Sequence, residues 1–269
     1  MSRSRLLVAL VVAVISILGY YGSSVINPVT NEKQHVGGIT PEQEIALGLQ
    51  AAPEMEQQFG GEDPDANAQA KVDEVGQRLV SRSAAGKTPY RFDFHLLNDP
   101  ETINAFALPG GQVFITDGLL RRLKTEGQLA GVLGHEIGHV VARHGAEQIA
   151  KQQLTQGLTG AAVLATYDPS DPSSRNSAAV AAMIGQLVTM RFGRQDELEA
   201  DHLGVRLASE SGYDPRSMIE LMKILEESSQ GNQPPEFFST HPNPQNRIQH
   251  IQEAIREQYP NGVPEGLEK

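Results

Sequence analysis

The chain has 269 residues, 39% of them hydrophobic, a formal net charge of −11 and no cysteine. That length and apolar content can bury one substantial core, and no internal repeat or low-complexity tract signals a second full domain. The acidic balance, without a basic patch beyond the N-terminus, argues against nucleic acid as a partner. The missing thiol excludes disulfides, thiolate metal ligands, a cysteine nucleophile and lipid attachment at an N-terminal cysteine.

Arg3 and Arg5 precede an uncharged run from Leu6 to Tyr21, and no acid occurs before Glu32. This is an export signal, read as either a signal peptide or a single-pass anchor. Small residues at Gly22-Ser23-Ser24 suit cleavage, whereas Tyr20 and Tyr21 suit an uncleaved helix held at the interface. In a bacterium either outcome puts the rest of the chain in the periplasm or on the outer face of the inner membrane. The expected organisation is residues 1–24 as signal or anchor, 25–39 as linker, 40–258 as the main globular domain and 259–269 as a tail.

Thr40-Pro41 with Gln43 predicts a helix start by capping box and N1 proline, and Asp63-Pro64 predicts another. Tyr90, Phe92, Phe94 and Leu96 alternate as a strand does. Ala105 to Leu108, then Pro109-Gly110-Gly111, then Gln112 to Thr116 predict a hairpin. An exposed strand edge at Asn104, Ala105 and Phe106 would supply backbone hydrogen bonds to an extended peptide; an ordinary core hairpin is the other reading.

Thr125 followed by Gln128 predicts the start of a helix whose apolar stripe is Leu129, Val132, Leu133, Val140 and Val141. Within it stands His135-Glu136-Ile137-Gly138-His139. At 3.6 residues per turn the two imidazoles lie nearly above one another and reach a single metal ion, while Glu136 is turned toward the neighbouring flank. From there its carboxylate can act as base on a water beside the metal, an arrangement suited to hydrolysing an amide.

A catalytic zinc needs a third protein donor. After two small-residue-rich apolar stretches, Leu154 to Ala165 and Ala178 to Phe192, read as a helical hairpin, comes Glu197-Leu198-Glu199-Ala200-Asp201 in a segment that runs to Gly212. Glu197 and Asp201 share a face, so one carboxylate can bind the metal while the other accepts the free N–H of a ligating imidazole. Glu197 is assigned as ligand and Asp201 as its support. Glu199 is the rival, but it points to a different side and has no partner carboxylate four residues on. His241 is followed by Pro242-Asn243-Pro244, read as a rigid loop into a helix capped by Asn243. His35, His95, His144, His202 and His250 have no partner at ligand spacing and are read as surface or core residues.

These pieces, with Asn104-Ala105-Phe106-Ala107, Gly110-Gly111, Thr240-His241-Pro242 and Arg247, resemble metallopeptidase family forty-eight. This family holds the HtpX, CAAX prenyl endopeptidase and Oma-type zinc peptidases, and the soluble BepA- and LoiP-like periplasmic branch is the most similar. The resemblance covers most of residues 40 to 257. It implies one zinc ion held by His135, His139 and Glu197, Glu136 as general base and Asp201 supporting a ligand. It also implies an α+β, mostly helical, gluzincin-like core with a small antiparallel or mixed sheet beside the active-site helix, and a substrate-docking edge at Asn104 to Phe106. His241 would then sit over the metal, either keeping the enzyme latent or contacting the transition state, and Arg247 would support the active-site loop through a carboxylate or stabilise the developing oxyanion. The expected function is a zinc endopeptidase of the cell envelope acting on unfolded or membrane-associated proteins. The rival is a zinc-dependent chaperone or assembly factor with little proteolysis. A tetratricopeptide array of the BepA kind is not expected in the residues that follow the Arg247 helix, a departure from that branch.

Overall fold

In the computed structural model the described residues are 3–166, 192–229, 235–242 and 246–269. Most are helical, with two small sheets. Helix α1 (Arg3–Gly22) lies along α6 (His144–Thr166). Among the described residues no helix is long and apolar enough to cross a membrane.

Residues 25–39, expected as a linker, carry a short antiparallel hairpin of β1 (Ser24–Ile26) and β2 (Lys33–His35). Its buried amides do structural work on a later helix: Asn27 donates to the Val141 carbonyl at 2.8 Å, and Gln34 donates to that of Ala142. Those carbonyls end α5 (Glu126–Val141) and lack partners within the helix, so the hairpin caps it.

Helix α2 (Pro41–Gln58) starts with the expected capping box: the Thr40 hydroxyl accepts from Gln43 N–H and the Gln43 side chain accepts from Thr40 N–H. Helix α3 (Ala66–Arg82) begins at Asp65 rather than at Asp63, because the Asp65 carboxylate accepts from both Asn67 and Ala68 N–H. The Asp63 carboxylate instead accepts the Asp65 N–H, one step before the cap.

The second sheet has the order β3-β5-β4, with β3 (Asp93–Leu97) parallel and β4 (Ala105–Ala107) antiparallel to β5 (Gln112–Thr116). The sheet is therefore mixed, and β4 to β5 is the expected hairpin. At its turn Gly110 and Gly111 have φ of +88° and +113°, and a Cβ on Gly110 would lie 2.3 Å from the Ile45 backbone. Only glycine fits there. Because Asn104 O accepts from Thr116 N–H and Leu108 N–H donates to Gln112 O, alternate residues of β4 face β5. The N–H and C=O of Ala105 and Ala107 consequently point away from β5, on the edge side of β4, where Asn104, Ala105 and Phe106 are themselves buried.

Helix α5 is the centre of the domain: every residue from Gly127 to Val141 is buried. The Thr125 hydroxyl caps it by accepting from Gln128 N–H, but the Gln128 side chain answers the Lys124 N–H instead of that of Thr125. Around it pack the sheet, α3, α7 (Arg194–Glu210) and α8 (Ser217–Ser228), with α10 (Arg247–Gln258) across α7 and α8. Glycine permits the closest crossing. A Cβ on Gly138 would lie 3.0 Å from Ala200 O of α7, and one on Gly134 would lie 3.4 Å from Gly204 O. Helix α7 ends before Gly212, whose φ is +83°. The last residues are not free: Glu268 exchanges backbone hydrogen bonds with Gly212 and Asp214, and its carboxylate pairs with Arg78.

The apolar arm Leu154 to Ala165 falls within α6, while residues 178–191 of its expected partner lie outside the described residues, as do Asn243 and Pro244. The described part of the last long helix starts at Arg247, after Asn246 in the left-handed conformation.

Candidate metal centre

Two helices and a loop meet at one buried point. Helix α5 supplies His135, Glu136 and His139, α7 supplies Glu197 and Asp201, and the loop after the short helix α9 (Phe237–Thr240) supplies His241. One donor atom from each of His135, His139, Glu197 and His241 lies within 4.8 Å of the others. His135 Nε2 is 3.1 Å from His139 Nε2 and 3.4 Å from His241 Nδ1, and Glu197 Oε1 is 3.1 Å from His241 Nδ1 and 3.5 Å from His139 Nε2.

The second carboxylate of α7 works from behind. Asp201 Oδ1 is 2.9 Å from His135 Nδ1, and Asp201 also accepts from Arg247 at 2.7 and 2.8 Å. Burial would raise the Asp201 pKa, but Arg247 and His135 outweigh it and bring it down to about 2. An ionised carboxylate only accepts, so His135 carries its proton on Nδ1 and presents a lone pair at Nε2. Arg247, fully buried, also sits 3.3 Å from Glu197 Oε2.

The donor set fits a divalent cation on two grounds. A neutral imidazole nitrogen and a carboxylate converge with lone pairs forward, which repel unless a positive centre lies between them. Glu136, Glu197 and Asp201 are three carboxyl groups buried beside the guanidinium of Arg247, more acid than that one permanent cation balances, and a dication would offset the remainder. Two His and one Glu are the donor types of catalytic zinc sites.

Glu136 is fully buried, and neither of its carboxylate oxygens has a hydrogen-bond partner among the described residues. Desolvation raises its pKa despite the opposing pull of His241 and His135. His241 Nε2 is 3.5 Å from Glu136 Oε1, outside good hydrogen-bond reach, and the ring is held by stacking on Phe237 at 4.5 Å between centroids. Burial lowers the His241 pKa, yet Glu136 and Glu197 together hold it above its ordinary value.

Beside His241 opens a cavity of about 60 Å³ lined by Asn104, Phe106, Met55, Phe59, Leu108 and Phe192, among others. Asn104 and Phe106 of the expected edge thus share this cavity with His241. The Asn104 side-chain oxygen is buried without a hydrogen-bond partner among the described residues.

Two residues acquire neighbours that local spacing did not predict. His144, read as surface or core, is buried with Nδ1 2.9 Å from His139 Nδ1, and its Nε2 is 3.2 Å from Glu199 Oε2. The rival acid Glu199 is therefore turned to His144 and not to the donor cluster. The other histidines stay apart: His202 and His250 lie near Glu257 and Glu253 at the surface, and His35 stacks on Tyr20. His95 approaches Glu56 and Glu62 as a second cluster of donor atoms, but its Nε2 is engaged by Gln112 at 2.9 Å and Glu62 is exposed.

A buried His-Glu-x-x-His helix crossed by a second helix carrying a glutamate, beside a mixed sheet, is the architecture of a metallopeptidase core. The chain belongs to Peptidase family M48, whose profile matches residues 66–255. It is 38% identical over 188 residues to the beta-barrel assembly-enhancing protease of Escherichia coli (strain K12), covering 66% of this chain and 37% of that protein. The protein of the same name in Yersinia pestis is 34% identical over 196 residues, covering 71% and 39%. The mitochondrial metalloendopeptidase OMA1 of Schizosaccharomyces pombe is 35% identical over 187 residues, covering 69% and 52%. The chain thus matches well under half the length of these bacterial relatives.

Proposed function

We propose that this chain is a zinc-dependent endopeptidase that cleaves unfolded or membrane-associated proteins outside the cytoplasm. The observation that carries the reading is Glu136: a fully buried carboxylate with both oxygens unpartnered among the described residues, next to the donor cluster. Leaving such a group unpaired is costly unless it serves chemistry there, and a purely structural zinc site would give it no use.

His135, His139 and Glu197 would hold the ion. Bound zinc would supply Lewis-acid polarisation of a carbonyl and acidify a water. Glu136, whose pKa is raised by burial, is suited to take that water's proton and then deliver it to the leaving amine. The edge-side N–H and C=O groups of Ala105 and Ala107 would align the substrate as an added strand, which recognises backbone without demanding particular side chains. His241 would act as a latch, since its Nδ1 competes for the open position that a reacting group needs.

The basic, then apolar N-terminus supports an extracytoplasmic location, by signal peptide or by anchor. The relatives' names, beta-barrel assembly-enhancing protease and mitochondrial metalloendopeptidase, support the proteolytic part of the reading. The reading is tested by incubating the purified full chain carrying His241→Ala, which removes the latch, with an unfolded protein, with zinc, with chelator, and with zinc restored. Cleavage that chelation stops and zinc restores is expected. Fragments that persist at undetectable zinc would overturn it.

A further inference from the structure

Helix α7 carries three acids within five residues, and two have duties already: Glu197 faces the donor cluster and Asp201 holds His135. The third, Glu199, reaches the other imidazole of α5 through an intermediary. His144 stands between them, with Nδ1 2.9 Å from His139 Nδ1 and Nε2 3.2 Å from Glu199 Oε2.

The local backbone explains how His144 gets there. On a continuous helix a residue five positions after His139 would lie about 140° away around the axis. Helix α5 stops at Val141, and Arg143 takes a left-handed conformation with φ of +56° before α6 begins at His144. A non-glycine residue seldom adopts this shape, and here it is held from outside. The Arg143 guanidinium donates to Glu44 Oε1 at 2.8 Å and to the Ile39 carbonyl at 2.6 Å. The turn swings the His144 ring back against His139, where Phe192 also stacks on the His139 ring at 4.0 Å.

The proton positions along this chain follow from its two ends. Two ring nitrogens 2.9 Å apart need one proton between them. At one end, His139 must leave Nε2 bare to serve the donor cluster, so its proton is on Nδ1 and points at His144. His144 accepts it at Nδ1 and therefore carries its own proton on Nε2, where Glu199 Oε2 receives it. An acid at one end and a metal-directed lone pair at the other define every proton in the chain.

We infer that His144, oriented by Glu199, is a positioning residue that holds His139 in its metal-binding tautomer and ring orientation. The two ligand imidazoles are then supported by different devices, His135 by Asp201 directly and His139 by Glu199 through His144. This inference rests on the metal reading of the cluster. It adds that the support of His139 requires an acceptor at residue 144 and not merely a buried ring.

The test compares zinc affinity, by competition with a chromophoric chelator, in wild type, His144→Phe, His144→Gln and Glu199→Ala, with urea unfolding of each metal-free protein. Visible spectra of the cobalt-substituted forms report ligand geometry alongside. Phenylalanine keeps a buried aromatic ring but removes the acceptor; glutamine restores an acceptor oxygen. His144→Phe should weaken zinc binding about 10- to 100-fold and alter the cobalt spectrum, His144→Gln should recover most of the affinity, and Glu199→Ala should weaken it by a smaller factor. Wild-type affinity in both His144→Phe and Glu199→Ala would overturn the inference while leaving the metal reading intact. So would equal losses in His144→Phe and His144→Gln that match their losses of metal-free stability. If His144→Phe does not fold, Glu199→Ala decides: unchanged affinity contradicts the relay. Failure of the wild type itself to bind zinc would overturn the metal reading, and this inference with it.

Discussion

The carboxylate of Asp201 grips the guanidinium of Arg247 through two hydrogen bonds of 2.7 and 2.8 Å, with both groups buried. This fork ties α10 to α7 directly behind His135. Arg247→Ala would leave Asp201 and Glu197 buried without a counter-charge, a change that costs about 3–5 kcal/mol. Urea unfolding of the metal-free protein should register that loss. Arg247→Lys should recover little of it, because an ammonium cannot make the paired contacts.

The same pair gives the metal-free protein an acid-sensitive element. The folded pKa of Asp201, about 2, lies below its ordinary 3.8, so the ionised form is favoured by folding. Its contribution is complete above the unfolded pKa and disappears as pH falls through the folded one. The shift corresponds to about 2 kcal/mol. The stability difference between metal-free wild type and Asp201→Asn should therefore have its full size above pH ~5 and narrow steadily toward pH ~2. A difference independent of pH would contradict the ionised, paired state of Asp201.

The crossing of α5 and α7 depends on small residues as much as on ligands. Gly138 faces the backbone of Ala200 and the Leu203 side chain, so the added bulk in Gly138→Val must push the helices apart. A destabilisation of about 1–3 kcal/mol is expected from overpacking. Because the shift separates His135 and His139 from Glu197, the rise in melting temperature on adding zinc should also shrink relative to wild type.

The parts legible in the sequence were those set by short-range geometry. The spacing of His135 and His139, the face shared by Glu197 and Asp201, the Thr40 and Thr125 caps and the Gly110-Gly111 turn all follow from residues within a few positions of each other. Helix periodicity also separated Glu197 from Glu199. The family resemblance brought in His241 and Arg247, which no local pattern joins to the site.

What stayed illegible depends on distant partners. Nothing near Arg143 marks a left-handed turn, because the acid that holds it, Glu44, lies in another helix. Without that turn His144 has no reason to meet His139. The segment 25–39 read as a linker because it is polar, yet Asn27 and Gln34 are buried by capping α5 more than a hundred residues later. The terminal segment read as a tail for the same reason, while Glu268 pairs with Arg78 and the backbone around Gly212.

The most direct test of the central claim is digestion of an unfolded protein by four full-length forms of measured zinc content: wild type, Glu136→Gln, His241→Ala and the double variant. Zinc is expected in all four, with cleavage by His241→Ala at least as fast as by wild type and none by Glu136→Gln or the double variant. Cleavage by the zinc-loaded double variant would contradict Glu136 as the base. Full zinc occupancy with no cleavage by His241→Ala would contradict the peptidase itself.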